Sequence, residues 1–360
     1  MRVAVVGLGI AGASALYWLS KQGAQADGYD QFYPGSEQGS SHGSARIIRY
    51  SYPDPLYAGL MKEGYRLWRE LESATDRQMI ITTGGIYFGP ADHPEIIATE
   101  SALIECGADY EKLSHAADRF PLIKFYDGEA ALYQPDMGYI TEPGRCAEEI
   151  VRRSHARFQG DRVLRVDPDG SVHTRSSVTK YDAVIIAAGA WMNQFAPNLP
   201  VAPTAQQMVY FRPTLPISQF SPPNYPVWID ADTHYYGLPW NGKTQGIRVS
   251  AHIRGPQIDP DADRPDLNEE TDRIRAYIDR RLSGLSDDVV FSSPCVYTNT
   301  PDEDFVLDFS PESKKIVYLS ACSGHGFKFG PLMGKLAAEM ALSGDRSIPP
   351  ERFRLDRLLK

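Results

Sequence analysis

Three glycines near the start of the chain have the spacing of a phosphate-binding turn. Gly7, Gly9 and Gly12 follow an apolar run at residues 3–6 and precede a stretch of good helix formers. In such a strand–turn–helix unit the first glycine permits a tight turn, and the second lets the backbone approach a pyrophosphate. The third lets the helix pack closely on the strand, and the free N–H groups of the helix start face the phosphates. The stretch therefore predicts a dinucleotide site.

An acidic residue stands where such a site needs one. Asp30 lies eighteen residues beyond Gly12 and is placed to accept a hydrogen bond from a ribose 2′-hydroxyl. Because the glycines also have a strand before them and a helix after them, we favour the dinucleotide site over an ordinary glycine-rich turn. These residues alone leave both FAD and NAD open.

A second apolar run ends in small residues. Residues 183–186 lead into Ala187, Ala188 and Gly189, a pattern that resembles the second nucleotide-proximal strand of two-domain flavoproteins. Small side chains there let the backbone approach a cofactor, which makes Gly189 a candidate contact. A tightly packed core strand accounts equally well for this stretch alone.

Two arginines could bind different groups. Arg46 and Arg49 flank Ile47 and Ile48, whose β-branched side chains favour an extended segment. In such a segment, positions three apart point to opposite faces. One guanidinium could then meet a cofactor ring while the other binds a substrate. Two surface arginines around a buried pair are the alternative.

The elements that position these residues follow from apolar periodicity and from glycine and proline breaks. Helices are predicted at residues 55–71, 94–106, 143–158, 267–282 and 331–342. Strands are predicted at residues 80–89, 206–211, 226–230, 234–239, 246–253 and 316–320, with short antiparallel strands within residues 163–178. The order indicates an α/β (α+β) protein with a Rossmann-like nucleotide-binding domain and a second, mostly antiparallel domain.

Composition limits the classes of function. A chain of 360 residues favours two domains, and a net charge of −9 argues against a nucleic-acid or anionic-membrane partner. Cys106, Cys146, Cys295 and Cys322 have neither metal-ligand spacing nor the pattern of a disulfide framework, as expected in a reducing compartment. We find no run that reads as a signal peptide or a membrane span, so we expect a cytoplasmic protein.

Three further stretches carry a family resemblance. Residues 41–49, residues 294–302 with the pattern Cys-x-Tyr-Thr-x-Thr-Pro-Asp, and residues 323–329 with Ser-Gly-His-Gly-Phe-Lys-Phe resemble the monomeric sarcosine oxidase and N-methyltryptophan oxidase family. These are FAD-dependent enzymes of the D-amino acid oxidase-like superfamily. The resemblance covers essentially the whole chain. It implies a discontinuous FAD-binding domain at residues 1–79, 138–205 and 296–360, and a substrate domain at residues 80–137 and 206–295.

The resemblance implies a set of flavin contacts. Cys295 would tie FAD covalently through a thioether to the 8α-methyl carbon, a reaction that needs a thiolate. Arg46, His42, His325 and Gly326 would lie near the isoalloxazine ring. The other three cysteines remain small buried apolar residues in our interpretation.

The resemblance also implies a substrate pocket. Arg49 and Lys328 would form a clamp for the substrate carboxylate. Tyr236, His252 and Tyr297 would shape the pocket and set the charge of the amine.

Arg248 departs from the family pattern. The family carries a lysine at this position, four residues before the histidine, and that lysine activates oxygen. Arginine keeps the positive charge, but its planar, bulkier fork differs from an ammonium group. Slower use of oxygen, or another electron acceptor, is the alternative that this residue opens.

The resemblance implies oxidation of a secondary, N-methyl or N-alkyl amino acid to an imine that hydrolyses, with oxygen reduced to hydrogen peroxide. The partners would be a small amino-acid substrate and oxygen, and the protein would act as a monomer. The alternatives are a flavin amine dehydrogenase with poor oxygen reactivity, an oxidase of a cyclic or primary amino acid, an NAD-dependent dehydrogenase that shares only the glycine turn, and a non-catalytic subunit lacking the clamp.

Overall fold

The structure is a computed structural model that describes residues 1–320 and 323–358. Cys322, expected to be a small buried apolar residue, lies outside the described residues. The strands are β1 (Arg2–Val6), β2 (Gln25–Tyr29), β3 (Ala45–Ile48), β4 (Ile80–Thr82), β5 (Gly85–Pro90), β6 (Glu111–Leu113), β7 (Glu129–Gln134), β8 (Gly138–Thr141), β9 (Arg157–Gln159), β10 (Val163–Val166), β11 (Ser171–Thr174), β12 (Val178–Lys180), β13 (Ala183–Ile186), β14 (Ala202–Pro213), β15 (Val227–Asp230), β16 (Tyr235–Gly237), β17 (Ile247–Ala251), β18 (Leu285–Asn299), β19 (Val306–Ser310) and β20 (Ser313–Ser320). The helices are α1 (Ile10–Lys21), α2 (Pro55–Thr75), α3 (Pro94–Cys106), α4 (Ala116–Arg119), α5 (Pro143–Ser154), α6 (Met192–Phe195), α7 (Asn268–Arg281) and α8 (Gly330–Ser343).

The first large sheet carries the glycine turn. Its strand order is β19–β20–β13–β1–β2–β9, and β1 lies parallel to both β2 and β13. Val3, Ala4 and Val5 are fully buried, as expected for a central parallel strand covered on both faces. This arrangement confirms the predicted Rossmann-like α/β unit.

Helix α8 covers this sheet beside α1. The two helices approach so closely that a Cβ on Gly334 would lie 2.5 Å from the backbone nitrogen of Ala15. Glycine is therefore required at this contact. The close packing fixes the chain that enters α8, including the residues just before it, against the start of α1.

The second large sheet is mostly antiparallel, as predicted. Its order is β18–β14–β17–β16–β15–β5–β7–β6, with β15 and β5 parallel. Helix α7 contributes the fully buried Ile274 and Tyr277 to the core of this unit. Two smaller sheets, β3–β8–β4 and β10–β11–β12, complete the topology of the described residues.

Two long strands of the second sheet cross the predicted domain boundaries. β14 pairs with β18 from Ala202 opposite Asn299 to Pro213 opposite Leu285. They therefore pass the boundaries placed after residues 205 and 295. The division of the chain into two domains stays a prediction.

One predicted helix is too long. The prediction for residues 143–158 ends in the structure at Ser154, because His155 adopts a left-handed conformation with φ of 55°. The following residues form β9, which adds to the edge of the first sheet beside β2. Among the described residues, no helix combines the length and apolar character that crossing a bilayer requires.

Candidate functional site

A first cavity of about 200 Å³ opens at the carboxyl ends of β1, β2 and β13. The glycine turn forms one wall, since Gly7, Gly9 and the first residues of α1 line it. The carboxyl ends of parallel strands in an open α/β sheet are where ligands bind. The position of this cavity therefore agrees with a nucleotide site.

The glycine turn has the tight packing that its sequence predicts. Gly7 adopts φ of +90°, and a Cβ there would lie 2.4 Å from the carbonyl oxygen of Ala187. A Cβ on Gly12 would lie 1.9 Å from the carbonyl oxygen of Gly7. Neither position has room for another residue, so the start of α1 rests directly on the strand ends.

Asp30 lies in the wall of the first cavity with its carboxylate fixed. It accepts hydrogen bonds from the backbone N–H groups of Leu8 at 2.8 Å and Phe32 at 2.9 Å. Burial raises the pKa of Asp30, which these two hydrogen bonds oppose. Each carboxylate oxygen keeps further acceptor capacity for a ribose hydroxyl.

Opposite the turn, Gly189 leaves an open space. It lines the first cavity, has φ of +53°, and a Cβ built on it would have no atom within 4 Å. The absent side chain thus widens the cavity at the end of β13, beside the small residues Ala187 and Ala188. This cradle, the glycine turn and Asp30 fit a dinucleotide such as FAD.

Hydrogen bonds tie the serine-rich loop to helix α1 and to the second sheet. Ser41 Oγ accepts a hydrogen bond from the backbone N–H of Ile10, at the start of α1, at 3.0 Å. Ser40 Oγ donates to the carbonyl oxygen of Val296, on β18, at 2.7 Å. The neighbouring Cys295 lines the first cavity, as Asp30 does.

The first cavity meets a second cavity of about 340 Å³ at a small group of shared residues. Arg46, Cys295 and Tyr297 line both cavities. The Arg46 guanidinium lies 3.6 Å from Cys295 Sγ and also donates to the carbonyl oxygen of Ser40 at 2.9 Å.

Arg49 and Lys328 both line the second cavity, and neither has a carboxylate partner among the described residues. The Arg49 guanidinium lies 4.2 Å from the centre of the Tyr52 ring, and its buried Nη1 has no hydrogen-bond partner there. Lys328 Nζ donates to the Tyr52 hydroxyl at 2.8 Å and to the carbonyl oxygen of His325 at 2.8 Å. Burial, and then the charge of Arg49, lowers the pKa of Lys328 well below its ordinary value. Such a pair is built to receive an anion.

The hydrogen-bond network fixes the tautomer of His325. Its Nε2 lies 3.1 Å from the carbonyl oxygen of Glu303, which can only accept, so Nε2 carries the proton. Its Nδ1 is then an acceptor for the Tyr52 hydroxyl at 3.3 Å. Burial, and then Lys328, lowers the pKa of His325 well below its ordinary value, which agrees with a neutral ring.

Arg248 is buried in the wall of the second cavity with all of its nitrogens engaged. It donates to the Tyr236 hydroxyl at 2.9 Å, to the carbonyl oxygen of Ala45 at 2.9 Å and to Ser250 Oγ at 3.3 Å. The planar fork therefore bridges β16, β3 and β17. A lysine ammonium could not reach the same acceptors in the same geometry.

His252 and Tyr297 complete the wall near the shared residues. His252 Nδ1 lies 3.3 Å from the Tyr297 hydroxyl. The exposed surface of His252 faces the second cavity. Burial, and then the charges of Arg49 and Lys328, lowers the pKa of His252 to about 4. This ring is neutral at ordinary pH.

The predicted site residues fall mostly into the two cavities. The first cavity is lined by Gly7, Gly9, Asp30, Gly189 and Gly326. The second cavity is lined by Arg49, Tyr236, Arg248, His252, His325 and Lys328. Gly12 packs beneath the turn without lining a cavity, and His42 also lines neither.

His42 is buried behind the shared residues. Its exposed fraction is 3%, and its Nε2 has no hydrogen-bond partner among the described residues. Burial, and then the charge of Arg46, lowers the pKa of His42 to about 3. Its contact with a cofactor ring stays a prediction.

The alternation of side chains along a strand predicts that Arg46 and Arg49 point to opposite faces, but in the structure both line the second cavity. β3 ends at Ile48, so Arg49 lies beyond the strand and is free of its alternation. Both guanidiniums line the second cavity, and only Arg46 also lines the first.

Sequence reasoning missed Tyr52 and Glu95. Tyr52 contacts both Arg49 and Lys328, and Glu95 lines the same cavity from the start of α3. The proximity of Tyr52 to Arg49 in the chain was a weak signal. Nothing in the local sequence indicates that Glu95 faces a cavity.

Comparisons with known proteins agree with this geometry. A family profile described as "FAD dependent oxidoreductase" matches residues 2–340. The chain is 32% identical to the monomeric sarcosine oxidase of Streptomyces avermitilis, over 99% of this chain and 97% of that protein. It is 28% identical to the N-methyl-L-tryptophan oxidase of Salmonella typhi, over 98% of each chain. Among solved structures, NikD, an unusual amino acid oxidase essential for nikkomycin biosynthesis, shares the fold with a TM-score of 0.82 at 23% identity, over 98% of this chain and 96% of that one.

Proposed function

Since this chain belongs to the family of FAD-dependent oxidoreductases, we propose that it oxidises a secondary, N-methyl or N-alkyl amino acid at a carbon next to the nitrogen. The imine product hydrolyses, and oxygen is reduced to hydrogen peroxide. The observation that carries the proposal is the pair Arg49 and Lys328, which faces the cavity that meets the first cavity at Cys295.

The residues of the first cavity would hold FAD. The turn at Gly7 and Gly9 would receive the pyrophosphate, Asp30 a ribose hydroxyl, and the space beside Gly189 a flat part of the molecule. Cys295, with Arg46 beside it, would form the covalent link. When bound there, FAD supplies the acceptor for the hydride equivalent that the substrate loses.

The residues of the second cavity would orient the substrate. Arg49 and Lys328 bind its carboxylate, which supplies the negative charge that these cations lack. Their positive charges also disfavour an ammonium nearby, so the amine is held in its neutral form. The amine end of the substrate then lies near Tyr297, because Tyr297 is one of the residues shared with the first cavity. Tyr236 and His252 surround the amine together with it.

The test is a panel of amines mixed with the purified holoenzyme without oxygen, scored by loss of the yellow flavin colour. N-methyl and N-alkyl amino acids should bleach the flavin, and their methyl esters should not, because the ester removes the charge that the clamp binds. Bleaching by primary or cyclic amino acids alone would contradict the proposed substrate class. A colourless protein that reduces NAD would contradict the proposed cofactor chemistry.

A second candidate is a flavin amine dehydrogenase with poor oxygen reactivity. The observation that favours it is the Arg248 guanidinium, which has three acceptors and replaces the lysine of the resembling family. Reoxidation that is slow with oxygen and fast with an artificial electron acceptor would support this candidate. The cytoplasmic location and the monomeric state stay predictions from the sequence.

A further inference from the structure

We propose that the second cavity selects amino acids that carry a second positive charge, an ammonium or guanidinium on the side chain or N-substituent, and that Glu95 binds this group. The proposal rests on the proposed function, because it concerns the substrate of the same site. It adds a specificity-determining residue and a chemical class of substrate.

Glu95 differs from the other acidic residues that line the second cavity. Each of those forms an ion pair with an arginine. The pairs are Asp54 with Arg352, Asp302 with Arg357, Glu303 with Arg254 and Asp304 with Arg352. Within residues 1–320 and 323–358, Glu95 has no cation within ion-pair distance, although its carboxylate lines the cavity. A substrate cation would supply the missing charge.

A neighbouring tyrosine fixes the Glu95 carboxylate. The Tyr87 hydroxyl donates to Glu95 Oε2 at 2.5 Å, and Tyr87 also lines the second cavity. The other carboxylate oxygen keeps its acceptor capacity for a ligand. A charge-assisted hydrogen bond to a fixed carboxylate is among the stronger polar contacts.

Sheet register places Glu95 away from the amine end of the substrate. Tyr236 on β16 pairs with Ile229 on β15, which pairs with Tyr87 on β5, so these three side chains share one face of the sheet. Two strand spacings separate Tyr236 from Tyr87, roughly 10 Å. Glu95 therefore meets a distal part of the substrate and not the reacting amine.

The clamp and Glu95 lie close enough for one small molecule to reach both. The Arg49 guanidinium lies 5.6 Å from the centre of the Tyr87 ring, whose hydroxyl holds Glu95. The second cavity, of about 340 Å³, is also larger than N-methylglycine requires, so that this small molecule would leave room for water. An amino acid with a carboxylate at the clamp and a cation a few bonds along its side chain fits this arrangement.

The binding test uses the holoenzyme and two ethers in which a methoxy group replaces the α-amine, 2-methoxyhexanoate and 6-amino-2-methoxyhexanoate. We expect the wild-type enzyme to bind the amino ether more tightly, by calorimetric titration. Glu95→Gln should remove that preference, a loss of about ten- to a hundredfold for the amino ether alone. Tyr87→Phe keeps the charge and should cause a smaller loss. The matched control is Glu100→Gln on the same helix, whose carboxylate pairs with Lys112 outside the cavity.

The catalytic test compares Nα-methyllysine with N-methylnorleucine as reductants of the flavin. We expect Glu95→Gln to lower kcat/KM for the first and to leave the second unchanged. Equal losses for both ligands would show that Glu95 only restrains Arg49, and equal binding of both ethers by the wild type would overturn the proposal directly. If no N-methyl amino acid bleaches the flavin, the proposed function fails, and the two ethers still decide whether Glu95 binds a cation.

Discussion

The guanidinium of Arg49 stacks on the ring of Tyr52, 4.2 Å from its centre, while the hydroxyl of the same tyrosine accepts a hydrogen bond from Lys328. The Tyr52 side chain thus contacts both Arg49 and Lys328. Two like charges brought together and buried repel each other, and the lowered pKa of Lys328 reflects this cost. A bound carboxylate would relieve this repulsion, which is why we expect the pair to bind an anion.

The contacts of Tyr52 with Arg49 and Lys328 predict that substitutions at Lys328 and Tyr52 weaken carboxylate binding by different amounts. Lys328→Ala should weaken binding of a carboxylate inhibitor by about ten- to a hundredfold, because it removes a charge-assisted hydrogen bond. Tyr52→Phe should cost less, because the ring under Arg49 remains and only the acceptor for Lys328 is lost. Titration of the flavin spectrum with inhibitor measures both. A neutral amide of the same inhibitor serves as the control, and equal losses for amide and acid would argue against a clamp.

The covalent link that we propose at Cys295 predicts a simple colour test. After acid precipitation, yellow colour should stay with the wild-type protein and pass into the supernatant for Cys295→Ser. The control is Cys106→Ser, which changes a buried free cysteine at the end of α3, outside both cavities. Colour that stays with the Cys295→Ser protein would place the link elsewhere.

Arg248 predicts separate effects on the two half-reactions. Arg248→Met should spare anaerobic reduction of the flavin by a good substrate and slow its reoxidation by oxygen, because only the second step builds negative charge beside this cation. Arg248→Lys should also slow reoxidation, since an ammonium cannot serve the acceptors on Tyr236, Ala45 and Ser250 together. Stopped-flow recording of each half-reaction tests this. Unchanged reoxidation in Arg248→Met would remove this residue from oxygen chemistry.

The open space beside Gly189 predicts a loss of cofactor without loss of fold. Gly189→Ala adds a Cβ that meets no protein atom but enters the first cavity, and its left-handed φ costs about 1–2 kcal/mol. We expect weaker retention of FAD during dialysis. Gly242→Ala is the matched control, since it also has positive φ and an open Cβ but lies outside the cavities. Equal FAD retention in both variants would mean that Gly189 does not face the cofactor.

His42 predicts how stability depends on pH. The pKa of His42 is about 3 in the folded protein, compared with about 6.5 for an ordinary histidine. Between these two pH values, this histidine takes up a proton only in the unfolded chain. The free energy of unfolding therefore falls as the pH falls, by about 1.4 kcal/mol per pH unit from this residue. His42→Asn should flatten the slope measured by urea unfolding between pH 6.5 and 4.5. His115→Asn, at an exposed histidine, is the control, and an unchanged slope in His42→Asn would contradict the prediction.

Local signals made much of the fold predictable. The strand–turn–helix at the start of the chain depends on residues close in sequence, and the structure reproduces it. Helix α3 begins at Pro94 and ends before Gly107, a proline start and a glycine stop that can be read directly. The alternating strands between residues 206 and 253 were also recognisable as an antiparallel sheet.

The features that could not be predicted depend on contacts between residues far apart in the sequence. β18 was not predicted as a strand, because Asp287, Asp288 and Pro294 interrupt its apolar pattern. It is held by its pairing with β14, which no local signal reports. Likewise, Tyr52 and Lys328 meet across 276 residues of sequence. The roles of Arg49 and Lys328 came from the family resemblance, and the tyrosine between them only from the structure.

The strand order of the first sheet also determines when, during translation, the first cavity can be completed. β1 is translated before the other strands of this sheet, whereas its neighbour β13 is completed only at residue 186, and β20, which pairs with β13, only at residue 320. Leu319, Gly326 and Phe327 form part of the wall of the first cavity. At about 5–20 residues per second, the glycine turn waits on the order of 15–60 s for that wall. The first cavity, and with it the capacity to bind flavin, is therefore complete only after residue 327 has been translated.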